Sequence, residues 1–167
     1  EYVGRIYQQV RQRPLTVECW ARLRSAQGFN ILVASDPKAS AEHWELYSYA
    51  GSGGLSLYQP GRGGEFKSAA NVCDNRWHHL AAVIEPERVR LFVDATLVLD
   101  ARASALQGAA ISGGLAFGRL VEGGIGCDGL IDEVRLSLGA RLPAGVPTAP
   151  LAADAALSEQ DSAASQA

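Results

Sequence analysis

The sequence predicts an all-β antiparallel fold, a sandwich or a barrel. Three observations carry that prediction. Side chains alternate in polarity along many short stretches, the stretches recur at roughly 8–12 residues, and turn-forming clusters separate them. No stretch keeps a helical period with capping residues. The 18 glycines suit a chain of many tight turns.

The first stretch, LTVECWARLR (15–24), puts Leu15, Val17, Cys19, Ala21 and Leu23 on one face. Thr16, Glu18, Trp20, Arg22 and Arg24 take the other, the pattern of a half-buried strand. The same reading holds for FNILVAS (29–35), HWELYSYA (43–50), GLSLYQP (54–60) and GEFKSA (64–69). It holds again for RWHHLAAVIE (76–85), RVRLFVD (88–94), TLVLDAR (96–102), GLAFGR (114–119) and LIDEVRLSL (130–138). GSGG (51–54), PGRGG (60–64), EPER (85–88), SGG (112–114) and EGGIGCDG (122–129) supply turns. The segment ASALQGAA (103–110) reads as loop.

Residues 1–142 form the expected domain. Residues 143–167 are Pro-, Ala- and Ser-rich without an aromatic ring, so they read as a linker or tail. A length of 167 residues fits one domain with a real core. The chain starts at Glu1 and holds no methionine, so it is read as a processed chain or a fragment of a longer protein. A net charge of −3 with interspersed signs gives no basic face for nucleic acid. No apolar run reaches the length of a membrane span.

Cys19 lies in an apolar alternating run and reads as a small core residue. Cys73 and Cys127 each sit in a polar loop just before a strand. They can form a disulfide if those strands are neighbours; otherwise both are free thiols. The three cysteines are too widely spaced for a zinc site.

Four segments, in order, resemble the laminin G-like, concanavalin A-like jelly-roll family. LTVECWARLR is similar to its early FTISAWVKP-type strand. WHHLAAVIEPERVRLFVD (77–94) resembles its central WHHVAVTYD…VRLYVDG hairpin. LAFGR (115–119) resembles LYIGR, and GLIDEVRLS (129–137) resembles the last strand, GxIDEVRI. Together they span most of residues 14–138. The resemblance implies a two-sheet jelly roll, which hosts many unrelated functions. It also implies an extracytoplasmic setting: secreted, periplasmic or at the cell surface.

The chain departs from the family in three places. The hairpin turns on Asp94-Ala95 rather than Asp-Gly, so strain or another turn type is expected. The opening EYVGRIYQQV lacks the family's Asp-rich start, and LVEGGIGCDG (120–129) is a long loop before the last strand.

His78 and His79 are consecutive in a strand and point to opposite faces, so they cannot chelate one ion from one side. They read as markers of a strand entrance. Related glycosidases present an ExDxE pattern on one strand. This chain has none, and Asp132 and Glu133 point apart, so no enzyme is expected. Calcium takes six to eight oxygens, usually from loop carboxylates and carbonyls. Asp36, Glu42, Asp74, Asp128 and Asp132 lie at strand ends or loops; Asp36, Asp74, Asp128 and Asp132 are the candidate ligands, or else ordinary solvated acids. Asp132 could instead accept from loop backbone or pair with Arg135 or Arg90. Tyr47 and Tyr49 share a face, with Tyr58 on the next strand. They are candidate ligand-binding rings with Arg62 and Glu65 at the edge, or they are packing residues.

The expectation is a non-catalytic module of a larger protein that binds a glycan or a surface protein. The alternative is a structural domain that packs against other domains of the same parent chain and takes no free ligand.

Overall fold

The computed structural model describes residues 13–144. The opening segment and the expected tail beyond residue 144 lie outside the described residues. Ten strands run in order: β1 (Leu15–Leu23), β2 (Asn30–Ser35), β3 (Trp44–Ser48), β4 (Gly54–Gln59), β5 (Gly64–Asn71), β6 (His78–Ile84), β7 (Arg88–Val93), β8 (Thr96–Arg102), β9 (Leu115–Phe117) and β10 (Gly129–Leu138). The only helical element among the described residues is a 3₁₀ turn, Pro60–Arg62. One sheet has the order β10-β1-β6-β7-β8 and the other β5-β4-β3-β2-β9, all pairs antiparallel. This is a sandwich of two open sheets, consistent with a jelly roll, and not a closed barrel.

The inward faces meet as the alternation predicts. Leu15, Val17, Cys19, Ala21 and Leu23 of β1 pack with Trp44, Leu46, Leu55, Leu57, Leu80, Ile84 and Leu91 in one buried cluster. Burial pushes the Cys19 thiol up to about 12, which leaves it an inert core residue. Register shifts interrupt the pairing in four strand pairs, and the one in β2 reshapes the core. Ile31 pairs with Tyr47 and Val33 with Leu46, so Leu32 is an extra residue. The bulge lets Leu32 and Val33 both join the core while Ile31 and Ala34 turn outward.

The β7–β8 turn keeps the geometry of the family's glycine turn without the glycine. Asp94 and Ala95 both take positive φ, 49° and 64°, as a type I′ hairpin requires. Asp94 is suited to it, and its Oδ1 accepts from the His79 backbone N–H at 2.8 Å. Ala95 carries the strain of a Cβ in the left-handed region.

The outer face of the first sheet is polar in sequence but closed in the structure. Glu18, on β1, is 2% exposed; its Oε2 accepts from Arg135 Nη2 at 2.7 Å and Nε at 2.9 Å. His79 stands beside it, Nε2 at 3.6 Å from Glu18 Oε1, and meets the Trp20 ring edge-on at 5.5 Å. Burial holds the pKa of His79 below its ordinary value. Ala81, Val83 and Phe92 form a small apolar cluster on that sheet. The chain after β10 returns over the face: the Thr16 hydroxyl donates to the Gly139 carbonyl and accepts from the Arg141 N–H. Arg135 therefore serves Glu18, Arg90 pairs with Glu85 at 2.9 Å, and Asp132 accepts from the Glu133 N–H. Of the two roles considered for Asp132, a backbone bond or an arginine partner, the structure shows a backbone bond, and the β1–β10 register sets Glu18 directly opposite Arg135.

Candidate functional site

The outer face of the second sheet carries a groove of about 380 Å³. Register builds it. Glu45 on β3 pairs with Tyr58 on β4, and Tyr58 pairs with Glu65 on β5. All three lie on the outward side, with Tyr47 one pleat along β3. Phe29 and Ile31 form one wall. The long loop after β9 forms another, folded back through an Arg119–Gly126 bridge and a Leu120 N–H to Ile125 carbonyl bond at 3.1 Å. Leu120, Val121 and Ile125 of that loop pack on Ile31, Ala34 and Tyr47.

The polar groups are ordered. Glu45 is buried, 3% exposed, with Oε1 at 3.3 Å from Lys38 Nζ and Oε2 at 3.2 Å from His43 Nε2. The His43 ring is itself fixed: Nδ1 lies 2.8 Å from the Asp36 carbonyl, which can only accept, so Nδ1 carries the proton. Glu65 Oε1 accepts from the Tyr47 hydroxyl at 3.3 Å and Oε2 from Lys67 Nζ at 2.8 Å. Burial first, then the Glu65 charge, raises the Tyr47 pKa, so the ring keeps its proton and donates. Lys67 lies 4.2 Å from the Tyr49 ring centre and Lys38 5.5 Å from that of Tyr58.

The tyrosines expected to share a face do so, and Trp44 goes to the core as alternation requires. Their accessibility differs. Tyr47 is 2% exposed and presents its hydroxyl rather than an open ring; Tyr49 and Tyr58 are half-buried. Phe29, which the sequence reading passed over, is 39% exposed at the groove wall and meets Tyr49 edge-on at 5.3 Å. Arg62 does not line the groove; its Nη1 donates to the Pro86 carbonyl at 2.9 Å, tying the 3₁₀ turn to the opposite sheet. The absence of an ExDxE strand hid a different arrangement: two carboxylates, Glu45 and Glu65, reach one face from two strands.

The four acids considered for calcium are dispersed. Asp36 Oδ1 accepts from the Gly113 N–H at 2.9 Å, Asp74 Oδ1 lies 3.0 Å from His78 Nε2, and Asp128 pairs with Arg24 at 2.9 Å. Asp132 lies on β10. Among the described residues no group of three or more His, Cys, Asp or Glu side chains is placed to hold a metal ion. His78 is engaged at both nitrogens, by Asp94 at 2.7 Å and Asp74 at 3.0 Å, at the rim of the first sheet.

Cys73 and Cys127 are free thiols, without the considered disulfide. Cys73 Sγ is held instead by the Ser48 hydroxyl at 3.3 Å and Asn30 Nδ2 at 3.7 Å. Desolvation, with Asp128 and Cys73 nearby, pushes the Cys127 thiol up to about 11.

Fold, strand order and motif positions define a class, the jelly-roll lectin-like sandwiches. The chain belongs to the concanavalin A-like lectin/glucanases superfamily, in its laminin G branch, whose model matches residues 5–146. Among curated proteins none matches the sequence significantly. Solved structures with the same fold include the mouse laminin alpha1 chain domains LG4-5, 19% identical with a TM-score of 0.55, where the alignment covers 74% of this chain and 34% of that one. Domain 4 of AbnA, an extracellular arabinanase from Geobacillus stearothermophilus solved with arabinotriose, is 16% identical, TM-score 0.57, with 76% and 61% covered. The CBM40 of Ruminococcus gnavus IT-sialidase is 12% identical, TM-score 0.61, with 85% and 83% covered. The chain thus spans about a third of the laminin structure and three-fifths of the arabinanase domain. Among the described residues no helix is long and apolar enough to cross a membrane.

Proposed function

We propose that this domain is a non-catalytic glycan-binding module of a larger extracytoplasmic protein, and that the groove on the second sheet is its binding site. The observation that carries the reading is the groove's composition. Apolar and aromatic walls from Phe29, Ile31, Tyr58 and Ile125 surround a few fixed polar groups, the make-up of a small-molecule site. Sugar rings present apolar C–H faces and hydroxyl edges, which match those two kinds of surface. The arabinanase domain solved with arabinotriose and the sialidase CBM40 solved with sialyllactose share the fold and support the class of ligand. Glu45 and Glu65 act here as hydrogen-bond acceptors, each already committed to a lysine, Glu65 also to the Tyr47 hydroxyl.

A second reading, docking against another protein domain, draws on the exposed Phe117 and Leu130, 54% and 56% exposed. Calcium would draw on Asp36, Asp74, Asp128 and Asp132, which do not converge.

A glycan and polysaccharide array, run in calcium buffer and again with chelator, tests the proposal. We expect binding in both conditions and a loss of about tenfold or more in affinity for Tyr58→Ala. Binding only with calcium would move the site to the acidic loops. No binding in either condition would favour the protein-docking reading.

A further inference from the structure

We infer that the groove selects a neutral glycan and discriminates against sialylated or uronic sugars. This rests on the glycan-binding reading above and adds the ligand's charge class. An anionic sugar needs a cation whose charge is not already matched, or a set of backbone donors, to meet its carboxylate. The groove's own ammonium, Lys38, is closed on Glu45, and Lys67 beside the groove is closed on its lining residue Glu65. Arg62, the arginine that the sequence offered for ligand binding, donates to the Pro86 carbonyl on the opposite sheet.

What faces a ligand is a pair of donor–acceptor units. Each ammonium has three N–H bonds and spends one on its carboxylate; each carboxylate keeps lone pairs beyond those in use. A hydroxyl both donates and accepts, so it can bridge such a unit without breaking it. A sugar carboxylate cannot donate. To reach either lysine it would have to displace a glutamate, and it would then lie beside the displaced charge.

Glu45 and Glu65 flank Tyr58 across β3, β4 and β5. Two strand spacings are roughly 9–10 Å, so a ring seated over Tyr58 lies between both carboxylates. Glu45 is also beneath the surface, 3% exposed, so a ligand carboxylate that took Lys38 from it would leave a poorly screened negative charge in the floor. The repulsive element is therefore built into the floor, and selectivity arises from rejection as much as from attraction.

The experiment is isothermal titration of the purified chain with matched pairs of oligosaccharides. One member of each pair is neutral (lactose, arabinotriose, cellobiose) and the other carries a carboxylate (3′-sialyllactose, 6′-sialyllactose, a glucuronic disaccharide). The expected result is that a neutral sugar binds at least about tenfold more tightly than its acidic counterpart. Glu65→Gln, at a partly exposed position that tolerates the change, should reduce that ratio several-fold by freeing Lys67; Glu45→Gln should do the same if the variant folds. Acidic sugars binding equally or better, or a ratio unchanged in Glu65→Gln, overturns the selectivity while leaving glycan binding in place. Failure of every sugar, neutral and acidic, overturns both readings.

Discussion

The two outer faces of this sandwich begin from the same sequence pattern and end differently. On the first sheet, Glu18, Trp20 and His79 alternate with core residues, as Glu45, Tyr47 and Tyr58 do on the second. On the first sheet the acid is cross-linked by Arg135, and residues 139–141 return over the strands. On the second, the loop after β9 packs along one side only and leaves a groove of about 380 Å³ beside it. Buried glutamates on both faces are held by cations. Glu18 is sealed by a strand neighbour, whereas Glu45 lines open space. A polar outward residue becomes a site only where the chain leaves room above it.

Breaking the closed face should cost stability and spare the groove. Glu18→Ala leaves Arg135 and His79 without their acid. Loss of one partner of a fully buried pair costs 3–5 kcal/mol, but Arg135 can turn to water, so about 2 kcal/mol is expected. Urea unfolding measures it, and glycan affinity should stay within about twofold. A collapse of affinity with stability intact would mean that the two faces are coupled.

The β7–β8 turn gives a smaller effect of opposite sign. Ala95→Gly relieves a φ of 64° while adding freedom to the unfolded chain. A net gain of about 0.5–1 kcal/mol is expected, seen as a higher Tm with unchanged glycan affinity.

The smallest effect lies at the rim. Desolvation lowers the pKa of His78, but hydrogen bonds and charge from Asp94 and Asp74 outweigh it and raise the group above its ordinary 6.5. Its contribution to stability is therefore full below about pH 6.5 and fades as pH rises through the raised folded-state value. Asp74 runs oppositely. Desolvation raises it, yet the Arg76 backbone and His78 bring it below 3.8, so its contribution is present above that and lost in acid. Asp74 is exposed and His78 is half-buried at the rim, so a few tenths of a kcal/mol is the scale after solvent screening. The Tm difference between the wild type and His78→Gln should shrink between pH 6 and pH 8; a difference constant across that range would show that the charge of His78 contributes nothing.

The strands were legible because one face of each is buried, and burial imposes the period of two. The jelly-roll order was legible from the Trp77-to-Asp94 and Gly129-to-Ser137 segments. The bulge at Leu32 was not, since an apolar run such as Ile31-Leu32-Val33 carries no period. The tyrosine face was half legible: alternation groups Tyr47 with Tyr49, but burial of Tyr47 depends on Phe29 and the distant 120–125 loop. Glu45 and Glu65 meet through the registers of β3, β4 and β5, which the GSGG and PGRGG turns fix and no local pattern announces. Arg135 and Glu18, 117 residues apart, are joined by the same kind of long-range register.

The most direct measurement of the central claim is a crystal structure of the chain with its tightest-binding neutral oligosaccharide. A sugar ring is expected against Phe29 and Tyr58, with hydroxyls on Glu45 and Glu65. A sugar seated at the rim beside Asp74, His78 and Asp94, or on the face closed by Arg135, would contradict it.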